Sequence, residues 1–199
     1  MVIHNISVTT VILAGGLGTR IGGNKGLQTL QGRELISWVL QAVSPVSDQI
    51  IINANDTQDA YAHFGCRVLA DDMPDWPGPL AGLHAALRIA DTDCVMTVPC
   101  DTPFLPHDLI ARLTTALTLE MTEAAVAVAG GRRQPTIALY NRNVLSRLNA
   151  YLDSGGRRVN DWLDTLQTSE VVFDNADSFC NINTLEDLER ASQVSINYS

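Results

Sequence analysis

Residues 9–27 read TTVILAGGLGTRIGGNKGL. Residues 10–14 are β-branched and apolar, the pattern of a buried strand. Gly15, Gly16, Gly18, Gly22 and Gly23 follow, with Arg20 among them and Lys25 and Gly26 closing the loop. A strand that runs into glycines and positive charge is a place to hold phosphate. Glycine lets the backbone turn and lets N–H groups approach an anion closely. The dinucleotide spacing G-x-G-x-x-G fails at Ile21, and the P-loop spacing fails at Asn24. Lys25 is the only lysine in the chain; the other basic residues are all arginine. An ammonium is a compact point charge, whereas a guanidinium is a planar fork. The alternative is a glycine-rich surface loop of linker composition.

The rest of the chain alternates between strand and helix patterns. Residues 34–43 repeat apolar side chains at helical spacing, and Pro45 ends the run. Residues 49–53 predict a strand that ends in Asn53. Residues 57–64 predict a helix stopped by Gly65, and residues 66–70 a third strand followed by Asp71-Asp72. Prolines and glycines in residues 75–82 force a turn before a helix that ends near residue 90. Residues 93–98 predict a strand ending in Pro99-Cys100-Asp101-Thr102-Pro103, with Pro106 in the first turn of a helix to about residue 117.

Further on, residues 124–129 and 136–140 predict strands on either side of a turn, Gly130-Gly131-Arg132-Arg133. Helices are expected over 143–152 and, after Gly155-Gly156-Arg157-Arg158, over 159–166. Residues 170–174 predict a strand and 179–183 an extended segment. Thr184 opens the last helix with Asp187 as its capping-box partner. The tail from Val194 is expected to fray. Such alternation predicts an α/β fold of three layers: one mainly parallel sheet with helices on both faces, in a single domain spanning 1–199.

A net charge of −9 disfavours nucleic acid and anionic membranes as partners. No apolar run approaches the ~20 residues that span a bilayer, and the first residues lack a signal-peptide pattern, so the expected location is the cytoplasm. The four cysteines and four histidines form no zinc-binding spacing.

In parallel sheets ligands collect at the carboxyl ends of strands. The glycine loop, Asn53, Asp71-Asp72 and Asp101 all follow predicted strands directly. Four stretches thus bring polar groups to one edge. Carboxylates and phosphates repel unless a cation lies between them, which describes a magnesium site. Asp101 ends a buried strand between prolines and is the best candidate ligand; the alternative is a turn cap. Asn53 carries an amide able to read a base or ribose edge, or else forms a turn. The D-x-D at Asp91-Thr92-Asp93 precedes its strand and belongs to the opposite edge.

Residues 13–27 resemble the signature loop of the molybdenum cofactor guanylyltransferases, L-A-G-G-x-x-x-R-M-G-G-x-D-K-G-L. Pro77-Gly78-Pro79-Leu80-Ala81-Gly82, Pro99-Cys100-Asp101-Thr102-Pro103, and Asn181-Ile182-Asn183-Thr184 with Glu186-Asp187-Leu188 resemble its later motifs in order. Ile21 stands for methionine, Asn24 for aspartate in a loop one residue shorter than the pattern, and Leu185 for proline. The resemblance implies a Rossmann-like nucleotidyltransferase fold, with a nucleotide-binding part over about 9–120 and a pterin-facing part over about 121–193. It implies magnesium-dependent transfer of GMP from GTP to the terminal phosphate of molybdenum-molybdopterin, with release of pyrophosphate. Leu13, Ala14, Gly15, Lys25, Asn53, Asp71 and Asp101 would bind the nucleotide, and Asp101 also the metal. Lys25, Arg20 and Asp101 would carry catalysis, and Arg157, Asn181 and Asn183 would bind the pterin. Other cofactor-synthesis proteins and molybdoenzyme chaperones are the implied protein partners. A related cytidylyltransferase and a non-catalytic nucleotide-binding regulator are the alternatives.

Overall fold

The computed structural model describes residues 6–15, 24–55, 58–71 and 78–193. Its centre is a seven-stranded sheet in the order β5-β4-β1-β6-β8-β7-β9. These strands are β1 (Val8–Leu13), β4 (Gln49–Asn53), β5 (Arg67–Leu69), β6 (Cys94–Pro99), β7 (Ala124–Ala129), β8 (Arg132–Asn141) and β9 (Thr168–Phe173). All pairings are parallel except those of β8. A two-stranded ribbon, β2 (Thr29–Leu30) with β3 (Arg33–Glu34), stands apart from the sheet.

Residue alternation sorts the side chains to two faces. Ile12, Ile52, Met96, Val98 and Ala125 pack under α1 (Leu35–Val43) and α4 (Leu109–Leu119). Val11, Ile51, Val95 and Val126 pack on the opposite face, under α3 (Pro79–Ile89), α5 (Leu145–Asp153) and α6 (Val159–Leu163). The short α2 (Gln58–Tyr61) contributes Tyr61 to the first face. A third cluster joins Leu30, Leu35 and Trp38 to Ile182 and Ala191, seating α7 (Leu185–Ser192) beside the ribbon. Among the described residues no helix is long and apolar enough to cross a membrane.

The chain leaves β1 for β4 on one side and reaches β6 on the other, so β1 lies at the switch point where open α/β sheets bind ligands. Register aligns Leu13 with both Asn53 and Pro99, and Asn53 with Leu69. The stretches expected to share an edge do share it, insofar as they are described. Asp93 lies beyond the other end of β6, where its carboxylate accepts from Ser7 N–H at 2.9 Å.

Three expectations change. Arg132 and Arg133 lie in a strand rather than a turn, because Gly130 and Gly131, at φ 58° and 70°, complete the hairpin by themselves. Pro135 falls inside β8, where the β7 register shifts between Val126 and Val128, so no ladder bond is demanded of it. The helix expected to hold Pro106 in its first turn begins at Leu109; Pro106 instead sits in the preceding turn, its carbonyl accepting from Leu109 N–H at 3.1 Å. Thr184 and Asp187 do form the capping box. The tail from Val194 lies outside the described residues.

Candidate active site

Strand β6 is buried along its whole length, and its ladder continues past the end: Cys100 N–H donates to Leu13 C=O at 3.1 Å. This bond places the next residue, Asp101, beside the start of the glycine loop. Asp101 is 6% exposed. Burial pushes its carboxyl above the usual aspartate range, and Lys25 draws it part of the way back.

Lys25 opens a single 3-10 turn, Lys25–Leu27, in which Leu27 N–H donates to Asn24 C=O at 2.9 Å. Its position is fixed from below by Gly26. A Cβ on Gly26 would lie 2.9 Å from Tyr61 Oη and 3.3 Å from Cys100 Sγ, so only glycine lets this turn rest on β6. Burial, reinforced by the neighbouring Asp101 charge, pushes the Cys100 thiol up to about 12. At neutral pH it is a packed thiol and not a nucleophile.

The ammonium of Lys25 donates to Asp101 Oδ2 at 3.2 Å and to Asn183 Oδ1 at 2.5 Å. The segment carrying Asn183 is stitched along the Asp101 turn. Asn181 Oδ1 accepts from Thr102 Oγ1 at 2.7 Å, and Ile182 N–H donates to Asp101 C=O at 2.9 Å. Ile182 turns the other way, into the cluster beneath α1. The alternation of an extended segment therefore sends both asparagine amides toward the Lys25–Thr102 side. Asp187 Oδ2 accepts from the N–H groups of Asn183 and Thr184, which ties this segment to the start of α7.

A second group forms where β1, β4 and β5 end. Ala14 N–H donates to Asn53 C=O at 2.8 Å. The buried Asn53 amide donates to Asp71 Oδ1 at 2.9 Å, and Asn55 donates to Asp71 Oδ2 at 2.8 Å. Asn55 Oδ1 in turn accepts from Asp71 N–H at 2.8 Å. Helix α3 comes close enough that a Cβ on Gly82 would lie 2.6 Å from Leu13 Cδ2 and 2.9 Å from Asn53 Cγ.

The expected residues thus fall into two adjoining clusters. Lys25, Asp101, Asn181 and Asn183 meet in one, and Leu13, Ala14, Gly15, Asn53 and Asp71 in the other. Arg157 sits at the C-terminal end of α5, donating to the carbonyls of Leu152 at 2.9 Å and Gly156 at 2.6 Å. Arg20 and Asp72 lie outside the described residues. Sequence gives Asn55 no site role, names Thr102 only inside its motif and reads Gly26 only as closing the loop. For Asn55 a signal exists: Asn53-Ala54-Asn55 repeats the N-x-N pattern of Asn181-Ile182-Asn183.

Among the described residues no three His, Cys, Asp or Glu side chains converge to form a metal cage. Among the described residues Asp101 is the buried carboxylate at this edge. One hard oxygen ligand fits a magnesium ion that takes its other ligands from phosphates and water.

Residues 10–169 match the model of the MobA-like NTP transferase domain. The molybdenum cofactor guanylyltransferase of Cupriavidus pinatubonensis is 43% identical over 187 residues, covering 91% of this chain and 94% of that protein. Among solved structures, molybdopterin-guanine dinucleotide biosynthesis protein A from Archaeoglobus fulgidus superposes with a TM-score of 0.78 at 28% identity, covering 93% of this chain and 97% of that one. Rv0371C from Mycobacterium tuberculosis, solved as a manganese complex, shares the fold with a TM-score of 0.72 at 19% identity, covering 95% of this chain and 100% of that one. With a family model matching most of its length and a relative this similar end to end, the chain belongs to the molybdenum cofactor guanylyltransferases, within the MobA-like NTP transferase family.

Proposed function

We infer that this protein transfers the guanylyl group of GTP to the terminal phosphate of molybdenum-bearing molybdopterin, giving the guanine dinucleotide form of the cofactor and pyrophosphate. The observation that carries this reading is the meeting of Lys25, Asp101 and Asn183. It joins the glycine loop, the end of β6 and the carboxyl-terminal segment at the switch point of a guanylyltransferase-family sheet.

The attacking group is a phosphate monoester, whose second pKa of about 6 leaves it largely ionised at neutral pH. It needs no general base. The barrier lies in bringing two anions together and in stabilising charge on the α-phosphate and the departing pyrophosphate, so position and electrostatics are what the protein supplies. Lys25 has three N–H donors, and Asp101 and Asn183 take two. In this reading the third serves a phosphate oxygen. Arg20 adds charge to the same loop. Leu13, Ala14, Gly15, Asn53 and Asp71 bind the nucleotide, and Asp101 would hold magnesium. Bound there, the metal would offset phosphate charge as a Lewis acid. Asn181 and Asn183 present amides to the pterin, and Arg157 presents its guanidinium to the pterin phosphate.

The cytoplasm suits this chemistry, and the four cysteines, all free thiols, suit a reducing compartment. The test supplies molybdopterin and magnesium with either GTP or CTP and reads pyrophosphate. Release with GTP and little with CTP is expected. A preference for CTP, or GTP binding with no pyrophosphate, would overturn the reading.

A further inference from the structure

Asp71 stands two residues beyond β5, past the last ladder position of that strand. Its orientation comes from two asparagines instead. Asn55 forms a two-bond ring with it, Nδ2 to Oδ2 at 2.8 Å and Oδ1 from the Asp71 N–H at 2.8 Å. The ring works for one amide orientation only, because reversing the amide would set N–H against N–H and oxygen against carboxylate. Asn53 takes the other carboxylate oxygen at 2.9 Å. The same two amides underlie the start of the glycine loop: a Cβ on Gly15 would lie 3.5 Å from Asn55 Nδ2 and 3.8 Å from Asn53 Oδ1.

Asn53 is 4% exposed and hemmed in by Gly82, so its amide is fixed by packing. Asn55 is exposed, so burial in the core does not fix its amide. Among the described residues both of its side-chain bonds go to Asp71. A carboxylate has about four acceptor positions. With one on each oxygen taken by an amide, the remainder are aimed by those amides.

We propose that Asn55 is a positioning residue for nucleoside recognition: it orients Asp71 so that the free lone pairs of the carboxylate accept from donor groups of the bound nucleoside. This rests on the reading that Asp71 contacts the nucleotide. A carboxylate accepts only, so the matching ligand chemistry is a pair of donors. Two parts of GTP supply one: the N1–H and 2-amino group of guanine, and the ribose hydroxyls. Adenine, cytosine and uracil each lack two adjacent donors on their pairing edge, so a base contact of this kind would select guanine.

The experiment titrates GTP, inosine triphosphate (which lacks the 2-amino group) and 2′-deoxy-GTP calorimetrically, with magnesium, into the parent, Asn55→Ala, Asp71→Asn and the double variant. Steady-state kcat is read alongside. Asn55→Ala is expected to weaken GTP about tenfold, the scale of one or two lost hydrogen bonds to a charged group, with kcat within about twofold of the parent. The double variant should bind no more weakly than Asp71→Asn alone. If the donors are on the base, Asn55→Ala loses discrimination against inosine triphosphate; if they are on the ribose, it loses discrimination against the deoxynucleotide. Parent-like GTP affinity in Asn55→Ala, with Asp71→Asn impaired, overturns the proposal and leaves Asp71 as a nucleotide ligand. So does full additivity in the double variant, which would mean that Asn55 acts without Asp71. Parent-like affinity in Asp71→Asn overturns the underlying reading itself.

Discussion

At the scale of single residues, the site depends on one ammonium held between a carboxylate and an amide. Replacing Lys25 with alanine should lower kcat by about 10²–10³, the usual cost of one preorganised electrostatic contact. Lys25→Arg should not restore it. A planar guanidinium cannot take the place of a point charge 3.2 Å from Asp101 and 2.5 Å from Asn183. Parent-like turnover in the arginine variant would show that charge alone suffices.

Asp101 gives a pH prediction. Burial raises its folded pKa above the unfolded value, with Lys25 opposing. For a carboxyl raised in this way, the stability it contributes is complete at pH below the unfolded pKa. That contribution falls as pH rises through the folded pKa, because the buried charge is disfavoured. Asp101→Asn should therefore gain thermal stability relative to the parent as pH goes from acid to neutral, while losing its response to magnesium. Thermal melts of both proteins across pH, with magnesium-dependent rates, check this. A difference that shifts toward the parent with rising pH would contradict the assigned direction, and a parent-like magnesium response would place the metal elsewhere.

At the scale of elements, α3 presses its glycine against the β1–β4 edge. Glycine to alanine inside a helix ordinarily stabilises by about 1 kcal/mol. Gly82→Ala should do the reverse, costing about 1–3 kcal/mol through overpacking, since its Cβ would overlap Leu13 and Asn53. A denaturant titration decides the sign, and a stabilised variant would mean that α3 stands further from the sheet. The elements also show how far sequence reading reaches. Apolar runs such as QIIIN and CVMTVP could be read as strands because burial on both faces leaves no polar alternation. The β2–β3 ribbon could not, since two-residue strands carry no period. Nor could the direction of β8: a glycine pair in a hairpin and a glycine pair in a longer loop look alike until both φ values are known to be positive. Among site residues, Lys25 and Asp101 were legible from charge set against glycine and strand patterns. For Asn55 the N-x-N repeat is the one signal, and its two bonds to a residue sixteen positions away leave no mark in the sequence.

At the scale of the whole molecule, the site draws on the first strand, the middle of the chain and the segment just before the last helix. Lys25 and Asn183 are 158 residues apart, yet they meet because Ile182 and α7 dock against α1 and the ribbon. The segment proposed to face the pterin and the loop proposed to hold the nucleotide are therefore in direct contact, which a transfer between two bound anions requires. That transfer is the central claim. Its most direct test incubates the protein with magnesium, molybdopterin and GTP carrying label either at the α- or at the γ-phosphate, then separates the products. The α-label should appear in a pterin dinucleotide and the γ-label in pyrophosphate. An α-label recovered only as GTP or GMP, or a γ-label found on the pterin, would contradict guanylyl transfer.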